Sequence, residues 1–321
     1  MAFSADQLLE KVNTYLATMP YVREPKGLYA PIEYVLSLGG KRIRPVLMLL
    51  SYQLYKENVD DILPQAAGIE TYHNYTLLHD DLMDCADMRR NKPTVHKVWD
   101  ENTAILSGDA MLVLAYRLMN NCPERYLIKY PSTFSKVGAF SAGDKEFETR
   151  NDVTVPEYME MIRLKTSVLL SAALKIGAVL GGGSEDDARK LYDFGIKMGL
   201  AFQLQDDYLD VYGDSKVFGK NIGGDILCNK KTFMLINALA LADGIQRKEL
   251  EKWIASTAFC PEEKIKAVTA LYDKIGIGGI CEEKINAYYV EGLSLLESMA
   301  VPSERKEELK SFVCHLMNRK V

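Results

Sequence analysis

Apolar residues recur along most of this chain at intervals of three and four positions, which is the spacing of one face of an α-helix. The N-terminal region shows the pattern, with Leu8, Val12 and Leu16 separated by polar and charged residues. The same criterion predicts helices over residues 6–16, 45–54, 64–80, 103–119, 156–180, 184–210, 231–241 and 261–271. The chain is therefore predicted to be mainly helical.

Proline positions support these helix boundaries. Pro64, Pro156 and Pro261 each stand where a first helical turn would begin, a position that tolerates proline. No run alternates apolar and polar residues between turn signals, so no strand is predicted. No low-complexity linker divides the chain either. The sequence thus predicts one all-α domain over residues 1–321.

Composition and charge narrow the class of protein. A hydrophobic fraction of 48% is enough for a large core, and a formal net charge of −5 disfavours nucleic-acid binding. Six cysteines without a CxxC pair are typical of free thiols in a reducing compartment. The apolar stretch 167–183 is interrupted by Lys175 and is predicted to be too short to span a bilayer. We expect a cytoplasmic protein without a transmembrane segment.

Two short aspartate motifs share one spacing. Residues 77–84 read LLHDDLMD and residues 205–210 read QDDYLD. They supply Asp80, Asp81 and Asp84, and then Asp206, Asp207 and Asp210. On a helix, the three carboxylates of each motif are predicted to share one side. Two carboxylates about 4 Å apart repel by on the order of 4 kcal/mol at an effective dielectric constant near 20. Such clusters therefore need a cation.

The chemistry of the donors selects the cation. Both motifs offer oxygen ligands without cysteine, which suits Mg²⁺, an ion that binds carboxylates, water and substrate phosphates. A single aspartate pair is more often a helix cap or a solvated helix surface. The flanking residues 75–79 and 202–205 are largely apolar or aromatic, so both motifs follow buried-looking helix segments. We interpret them as a magnesium site.

Basic residues are placed around both aspartate motifs. The sequence GGKRIRP at 39–45 precedes the first motif, and two adjacent arginines follow it. The candidates are Lys41, Arg42, Arg44, Arg89, Arg90, Lys165, Lys220, Lys230 and Lys231. Each run alone is typical of a solvated surface, but their combination with two magnesium-type motifs favours a polyphosphate ligand. The Walker pattern GxxxxGK[ST] is absent.

Taken together, these motifs resemble the trans-isoprenyl diphosphate synthases, also called polyprenyl synthetases. The resemblance runs through GGKRIRP, HDDLMDCADMRRNKPTVH, KTSVLL and FQLQDDYLDVYGDSKVFGKNIGGD, over roughly residues 30–235. Two departures stand out. Asn91 occupies a position that is usually glycine in the family, and His73 one that is glutamine in some members.

The resemblance implies an all-α, isoprenoid-synthase-type helical bundle around a deep central cavity, usually in a homodimer. The implied reaction joins an allylic diphosphate (dimethylallyl, geranyl or farnesyl) to isopentenyl diphosphate with three Mg²⁺ ions. The implied metal ligands are Asp80, Asp84 and Asp206, with Asp81, Asp207 and Asp210 in support. The implied diphosphate ligands are Arg89, Lys165, Lys220 and Lys230 for the allylic substrate and Lys41, Arg44, His73 and Arg90 for isopentenyl diphosphate. Thr166 and Gln203 would line the region where positive charge develops.

The residues before the first aspartate motif bear on product length. In the family, a bulky aromatic five positions before the first aspartate limits chain elongation, and Tyr75 stands there. The fourth position holds Thr76 instead of a second aromatic, and Tyr72 lies eight positions before the aspartate. This combination resembles geranylgeranyl (C20) synthases. A farnesyl (C15) product is the alternative, or a longer one if Tyr75 only packs against a neighbouring helix.

Three other functions share some of these features. A terpene cyclase would not need GGKRIRP, and its second metal motif usually differs from DDxxD. Head-to-head synthases of the squalene type carry different aspartate motifs. A non-catalytic partner subunit would be expected to have lost part of the aspartate or lysine set, whereas every position is present here. An enzyme is therefore predicted.

Overall fold

The computed structural model describes residues 3–21, 23–121, 150, 152–213 and 222–317, and these residues are mainly helical. The N-terminal helices are α1 (Ala5–Thr18), α2 (Lys26–Ser37), α3 (Ile43–Gln53), α4 (Leu63–Met83), α5 (Val95–Val98) and α6 (Glu101–Met119). A 3₁₀ turn, Val59–Ile62, precedes α4.

The later helices are α7 (Val155–Ile162), α8 (Val168–Gly181), α9 (Glu185–Tyr212), α10 (Gly224–Leu227), α11 (Phe233–Leu241), α12 (Gly244–Ala255), α13 (Pro261–Ile275), α14 (Ile277–Glu297) and α15 (Ser303–Met317). The predicted all-α class is confirmed.

The described residues form two compact units. The first comprises residues 3–21, 23–121, 172–192 and 299–309, and the second comprises 150, 152–171, 193–213, 222–298 and 310–317. In the first unit, a core cluster joins Ile32 of α2, Leu78 of α4 and Met111 of α6. In the second unit, Tyr158 of α7 and Leu204 of α9 belong to a core that α11, α13 and α14 complete. The prediction of one domain over 1–321 stays a prediction.

Each helix predicted from periodicity is present, with ends displaced by a few residues. Helix α4 carries Pro64 at its start, and α7 begins with a capping box in which Thr154 and Glu157 bond each other's backbone. The periodicity missed α2, α12, α14 and α15, and also the four-residue helices α5 and α10. Helix α2 buries Ile32, Val35 and Leu36, but Pro31 in its interior argues against a helix, whereas α12 buries only Leu250 and so lacks an apolar stripe.

A π-helical turn divides the helix predicted over 156–180. It covers Arg163–Ser167 and joins α7 to α8. Gly199 of α9 permits a close approach here, because a Cβ at that position would lie 2.6 Å from the Cα of Ser167. Single π turns within α-helices are often found at functional sites. This one holds Lys165 and Thr166, both predicted site residues.

One short hairpin contradicts the prediction that the chain has no strands. Strands β1 (Met88–Arg89) and β2 (Lys92–Pro93) pair antiparallel, with Arg89 opposite Lys92. Arg90 and Asn91 form the connection with φ values of 51° and 61°. A two-residue turn with both φ values positive suits a hairpin, and asparagine tolerates that conformation. Asn91 can therefore occupy a position that is glycine elsewhere.

Among the described residues, one helical run is long and apolar enough to span a membrane. It covers Val155–Gly181, and 72% of its most apolar window is buried inside the structure. The expectation that this region is too short was wrong, because the π turn continues the helix. Its burial identifies it as a core helix.

A buried ion pair fixes the start of α3. Arg42 adopts the left-handed conformation and donates from Nη1 to Glu70 Oε1 of α4 at 2.7 Å. Its Nη2 donates to the Leu36 carbonyl at 2.6 Å, and both charged side chains are at most 3% exposed. Arg42 is therefore a structural residue of the GGKRIRP segment.

Removing one partner of this pair leaves an uncompensated buried charge. We predict that Arg42→Ala or Glu70→Ala lowers the free energy of unfolding by about 3–5 kcal/mol in urea titrations. The more exposed Lys11–Asp60 pair, 2.8 Å long, offers a matched control. Asp60→Ala should cost less than about 1 kcal/mol. Equal losses at the two pairs would contradict the structural role of Arg42.

Candidate active site

The first aspartate cluster, Asp80, Asp81 and Asp84, lies at the C-terminal end of α4. The helix ends at Met83, and the Asp84 amide donates to the Asp80 carbonyl at 2.9 Å, so the helical path continues through the motif. Asp80 is half-buried and Asp84 is exposed, whereas Asp81 is buried. The three carboxylates therefore do not share one environment.

Asp81 already has a cationic partner. Arg89, on β1, donates from Nε to Asp81 Oδ2 at 2.6 Å. Asp81 is buried, unlike Asp80 and Asp84, and the prediction that all three carboxylates share one side of the helix stays a prediction. Arg89 was predicted to bind diphosphate, and in this structure it anchors the loop after α4 to the middle aspartate.

His79 is fixed against α6 just before the cluster. A Cβ on Gly108 would lie 2.2 Å from His79 Nε2, so a larger residue at this position would displace the ring. His79 Nε2 is 3.3 Å from the Ile105 carbonyl oxygen. The His79 ring packs edge-on against the Tyr75 ring, with 4.9 Å between the ring centroids. The Tyr75 ring also packs edge-on against the Tyr72 ring, with 5.6 Å between the ring centroids. The Thr76 hydroxyl donates to the His73 carbonyl at 2.7 Å.

The glycines of GGKRIRP receive a guanidinium group. Gly39 and Gly40 both have positive φ values, of 74° and 134°. Arg90 donates from Nη1 to the Gly39 carbonyl, and a Cβ on Gly40 would lie 2.8 Å from the Arg90 Cζ. The pair of glycines thus lets the hairpin after the aspartate motif contact the segment before α3.

A second guanidinium and a histidine belong to the same group. Burial lowers the pKa of Arg44 to about 10, and the charge of Glu70 opposes this shift. The Nε atom of Arg44 is buried and has no hydrogen-bond partner among the described groups. Burial, then the charges of Arg44 and Arg90, hold the pKa of His73 well below its usual range. Three of the residues predicted to bind isopentenyl diphosphate, Arg44, His73 and Arg90, therefore lie together. Lys41, the fourth, is exposed.

The low pKa of His73 predicts a pH-dependent stability. Below about pH 6.5 the unfolded chain binds a proton at His73 that the folded chain does not, so folding weakens as pH falls, by up to about 1.4 kcal/mol per pH unit. His73→Gln removes this proton. We predict that the variant gains stability relative to the native protein between pH 7 and pH 5, measured by urea unfolding, with a constant difference above pH 7. A difference that does not change from pH 5 to pH 8 would contradict this account.

The second aspartate cluster, Asp206, Asp207 and Asp210, lies within α9. Asp206 and Asp210 are half-buried, and Asp207 is buried. The Tyr158 hydroxyl of α7 donates to Asp207 Oδ2, and Gln203 Nε2 donates to Oδ1 at 3.4 Å. Burial raises the pKa of Asp207 to about 7, against the charge of Lys230 and the Tyr158 hydrogen bond. As in the first cluster, the middle aspartate is turned inward and already partnered.

Thr166 and Gln203 are brought together as predicted. Thr166 Oγ1, on the π turn, donates to Gln203 Oε1 at 3.0 Å. Lys165, its neighbour on the same turn, is exposed. The π turn and α9 therefore hold these predicted site residues in the second unit.

Asp225 is a site residue that sequence reasoning missed. Its amide donates to Asp210 Oδ2 at 2.9 Å, and its carboxylate accepts from Lys230 Nζ at 3.1 Å. Partial burial lowers the pKa of Lys230, but Asp225 and Asp207 outweigh it and leave the pKa above its ordinary value. The sequence signal was the aspartate of GGDILCNKK, between two lysine runs.

The structure distinguishes Lys230 from Lys231. Lys230 Nζ lies among the acidic groups of the second cluster, whereas Lys231 Nζ donates to the Asn229 carbonyl at 3.4 Å. Lys231 also lines a separate cavity of about 530 Å³ with Leu235 and Arg247. The predicted diphosphate ligand Lys220 lies outside the described residues.

The outer aspartates can bind magnesium only together with further ligands from water or substrate. Across the described ranges, no three His, Cys, Asp or Glu side chains are gathered as a ready-made metal site. Mg²⁺ usually takes one or two protein carboxylates, with waters and substrate phosphate oxygens completing its octahedron. Asp80, Asp84 and Asp206 offer such oxygens from half-buried or exposed positions. The donors therefore fit Mg²⁺ that binds together with a diphosphate.

Comparison with known proteins decides the family. A family model for polyprenyl synthetases matches residues 25–272, more than half of the chain. The chain belongs to the polyprenyl synthetase family. The predicted family and the prediction of a prenyl-transferring enzyme are thereby confirmed.

Two relatives illustrate the range of this polyprenyl synthetase family. A short chain isoprenyl diphosphate synthase from Methanocaldococcus jannaschii is 40% identical over 273 residues, which cover 84% of this chain and 83% of the relative. A geranylfarnesyl diphosphate synthase from Natronomonas pharaonis is 36% identical over 251 residues, covering 71% and 74% of the two chains.

Two solved structures share the fold. A crystal structure of geranylgeranyl pyrophosphate synthase is 41% identical, with a TM-score of 0.90, and covers 99% of this chain and 98% of its own. A geranylgeranyl pyrophosphate synthase from Corynebacterium glutamicum, complexed with isoprenyl diphosphate and magnesium, is 25% identical, with a TM-score of 0.85 and coverage of 99% and 100%. The isoprenoid synthase fold is therefore confirmed.

Proposed function

We propose that this polyprenyl synthetase condenses dimethylallyl, geranyl and farnesyl diphosphates with isopentenyl diphosphate in a Mg²⁺-dependent reaction, with geranylgeranyl diphosphate (C20) as the main product. The observation that carries the proposal is the combination of two aspartate clusters with a half-buried cationic group, Arg44, His73 and Arg90, in a member of this family. A similar geranylgeranyl pyrophosphate synthase structure at 41% identity supports the C20 product.

Arg44, His73 and Arg90 are proposed to bind the diphosphate of the isopentenyl substrate, with Lys41 at its exposed edge. Arg44 Nε is buried and has no partner among the described groups, and an unpaired buried donor is costly unless a ligand satisfies it. A neutral His73 still donates one N–H to a phosphate oxygen. Two guanidinium groups in one small region also need an anion, because Glu70 already pairs with Arg42.

The outer aspartates are proposed to hold Mg²⁺ and, through it, the allylic diphosphate. Asp80, Asp84 and Asp206 would be the ligands, with three ions in all as the family resemblance implies. Support comes from the magnesium and isoprenyl diphosphate bound to the Corynebacterium glutamicum enzyme. Lys165, Lys220, Lys230 and Arg89 are proposed to contact the same diphosphate. Bound Mg²⁺ would stabilise the negative charge that develops on the leaving diphosphate.

The protein's own side chains are proposed to stabilise the charges that form during the reaction. When the allylic C–O bond breaks, Lys165 and Lys230 stabilise the departing diphosphate, which is electrostatic catalysis. The oxygen atoms of Thr166 and Gln203 face the allylic cation. The double bond of isopentenyl diphosphate attacks that cation, and the departed diphosphate accepts the proton that is lost. Apolar surroundings exclude the water that would otherwise convert the cation to an alcohol.

Product length is proposed to depend on Tyr75, with Tyr72 behind it and Thr76 beside it. Tyr75 is half-buried, and its ring is held by edge contacts to Tyr72 and His79. His79 is itself fixed by the space at Gly108. A side chain supported in this way can resist a growing prenyl chain. The geranylfarnesyl (C25) relative makes a longer product the alternative, with C15 as the shorter one.

Substitution of single aspartates tests the enzymatic proposal. Asp80→Ala and Asp206→Ala should each reduce the rate of radiolabelled isopentenyl incorporation at least 10²-fold, because each removes a magnesium ligand. Asp193→Ala is the matched control, since Asp193 is exposed on the same helix, α9, as Asp206. Rates within twofold of the native protein in either test variant would reject the metal assignment.

We further propose that the protein is a homodimer, as the family resemblance implies, and that α6 contributes the interface. Ile105, Leu106, Val113 and Tyr116 on this helix are between 43% and 61% exposed. An apolar surface of this kind on one helix is typical of a protein contact.

A cytoplasmic location is part of the proposal, supported by the five unpaired cysteines in the described residues.

The dimer proposal predicts the molecular mass of the native protein and a lower mass for an interface variant. Light scattering should give twice the chain mass of 36.1 kDa for the native protein. Leu106→Glu combined with Val113→Glu should give the mass of one chain, because two buried charges would oppose association. Ile245→Glu is the control, since Ile245 is 81% exposed on α12. A native protein of single-chain mass would rule out the dimer.

A further inference from the structure

A continuous line of hydrogen bonds in the second unit connects α7, the π turn and α9. Tyr158 donates to Asp207 Oδ2, Gln203 Nε2 donates to Asp207 Oδ1 at 3.4 Å, and Thr166 Oγ1 donates to Gln203 Oε1 at 3.0 Å. Tyr158 is 1% exposed and Asp207 is 2% exposed. The line therefore begins at a buried tyrosine and ends at the half-buried Thr166.

When Asp207 is ionised, the donors and acceptors in this line leave one orientation for the Gln203 amide. The Tyr158 hydroxyl supplies its hydrogen to Oδ2 of Asp207, which leaves Oδ1 as an acceptor for an N–H group. Gln203 must then turn its NH₂ toward Asp207 and its Oε1 toward Thr166. With its hydrogen given to Gln203, Thr166 Oγ1 directs its lone pairs elsewhere.

We propose that Asp207 and Tyr158 are positioning residues, which orient the oxygens of Gln203 and Thr166 toward the allylic cation, and that Asp207 is not a magnesium ligand. This inference rests on the proposed prenyl transfer. Both carboxylate oxygens of Asp207 already accept hydrogen bonds within the protein, whereas its neighbour Asp206 is half-buried. The predicted metal role of Asp207 is thus replaced by an orienting role.

The physical effect is electrostatic preorganisation. Oxygen dipoles fixed before the reaction need no reorientation when the positive charge forms, so they stabilise the transition state more than the ground state. Loss of the orienting group should therefore lower kcat and leave KM nearly unchanged. Hydrogen bonds that orient functional groups from outside typically contribute 10–100-fold to activity.

The test is a double-mutant cycle between the two ends of the line. Tyr158→Phe and Thr166→Val should each lower kcat about 10–100-fold, with KM for both substrates within about threefold of the native value. The double variant should be no slower than about twice the worse single variant, because the two residues act as one unit. Multiplication of the two single effects would overturn the proposal.

A matched control separates orientation from stability. Tyr212→Phe removes another tyrosine–carboxylate hydrogen bond, 2.9 Å to Asp273 Oδ1, at the end of the same helix, α9. It should keep kcat within twofold. If Tyr158→Phe does not fold, Asp207→Asn takes its place in the cycle with Thr166→Val, and the same two outcomes decide.

A binding measurement tests the claim about magnesium without turnover. Calorimetric titration with inorganic diphosphate and Mg²⁺ should give Asp207→Asn the native affinity within about threefold, whereas Asp206→Asn should bind at least tenfold more weakly. Equal weakening in both variants would identify Asp207 as a ligand and overturn the proposal. A native protein that binds magnesium diphosphate but forms no prenyl product would reject the proposed function, while the comparison of the two aspartates would still decide the role of Asp207.

Discussion

Each aspartate cluster contains three carboxylates that are close in sequence, and the fold must relieve the repulsion between them. In both clusters the middle aspartate is buried and receives a partner from another element, Arg89 for Asp81 and Tyr158 for Asp207. The outer aspartates stay half-buried or exposed. Only part of the negative charge of each cluster therefore remains to be neutralised from outside. A cation with few protein ligands, such as Mg²⁺ bound to diphosphate, meets that remaining need.

The same constraint applies to the cations of the first unit. Arg42 is neutralised internally by Glu70, and His73 stays neutral because burial and neighbouring guanidinium groups disfavour its charged form. Arg44 and Arg90 are half-buried, and burial lowers the pKa of each guanidinium group. The group is thus complementary to a small polyanion, which agrees with the diphosphate substrate proposed for this family member.

Much of this could be predicted from the sequence, since helices with long apolar periodicity and motifs with fixed spacing are local properties. The aspartate spacing and the GGKRIRP segment identified the family before any contact was known. The helix around Pro31 was missed because an internal proline argues against a helix, and the helix around Leu250 was missed because it buries no other residue. The π turn at Arg163–Ser167 depends on the room that Gly199 leaves on another helix. Inward rotation of Asp81 and Asp207 depends on distant partners, as does the role of Asp225, so spacing alone could not reveal either.

Prenyl transfer that stops at C20 can be tested by the mass of the product. The native protein would be incubated with dimethylallyl diphosphate, excess isopentenyl diphosphate and Mg²⁺, and the products analysed by mass spectrometry beside those of Tyr75→Ala. We expect geranylgeranyl diphosphate as the main native product and longer products from the variant. Longer native products that are unchanged in Tyr75→Ala would contradict the chain-length assignment, and no product from any primer would contradict the enzyme itself.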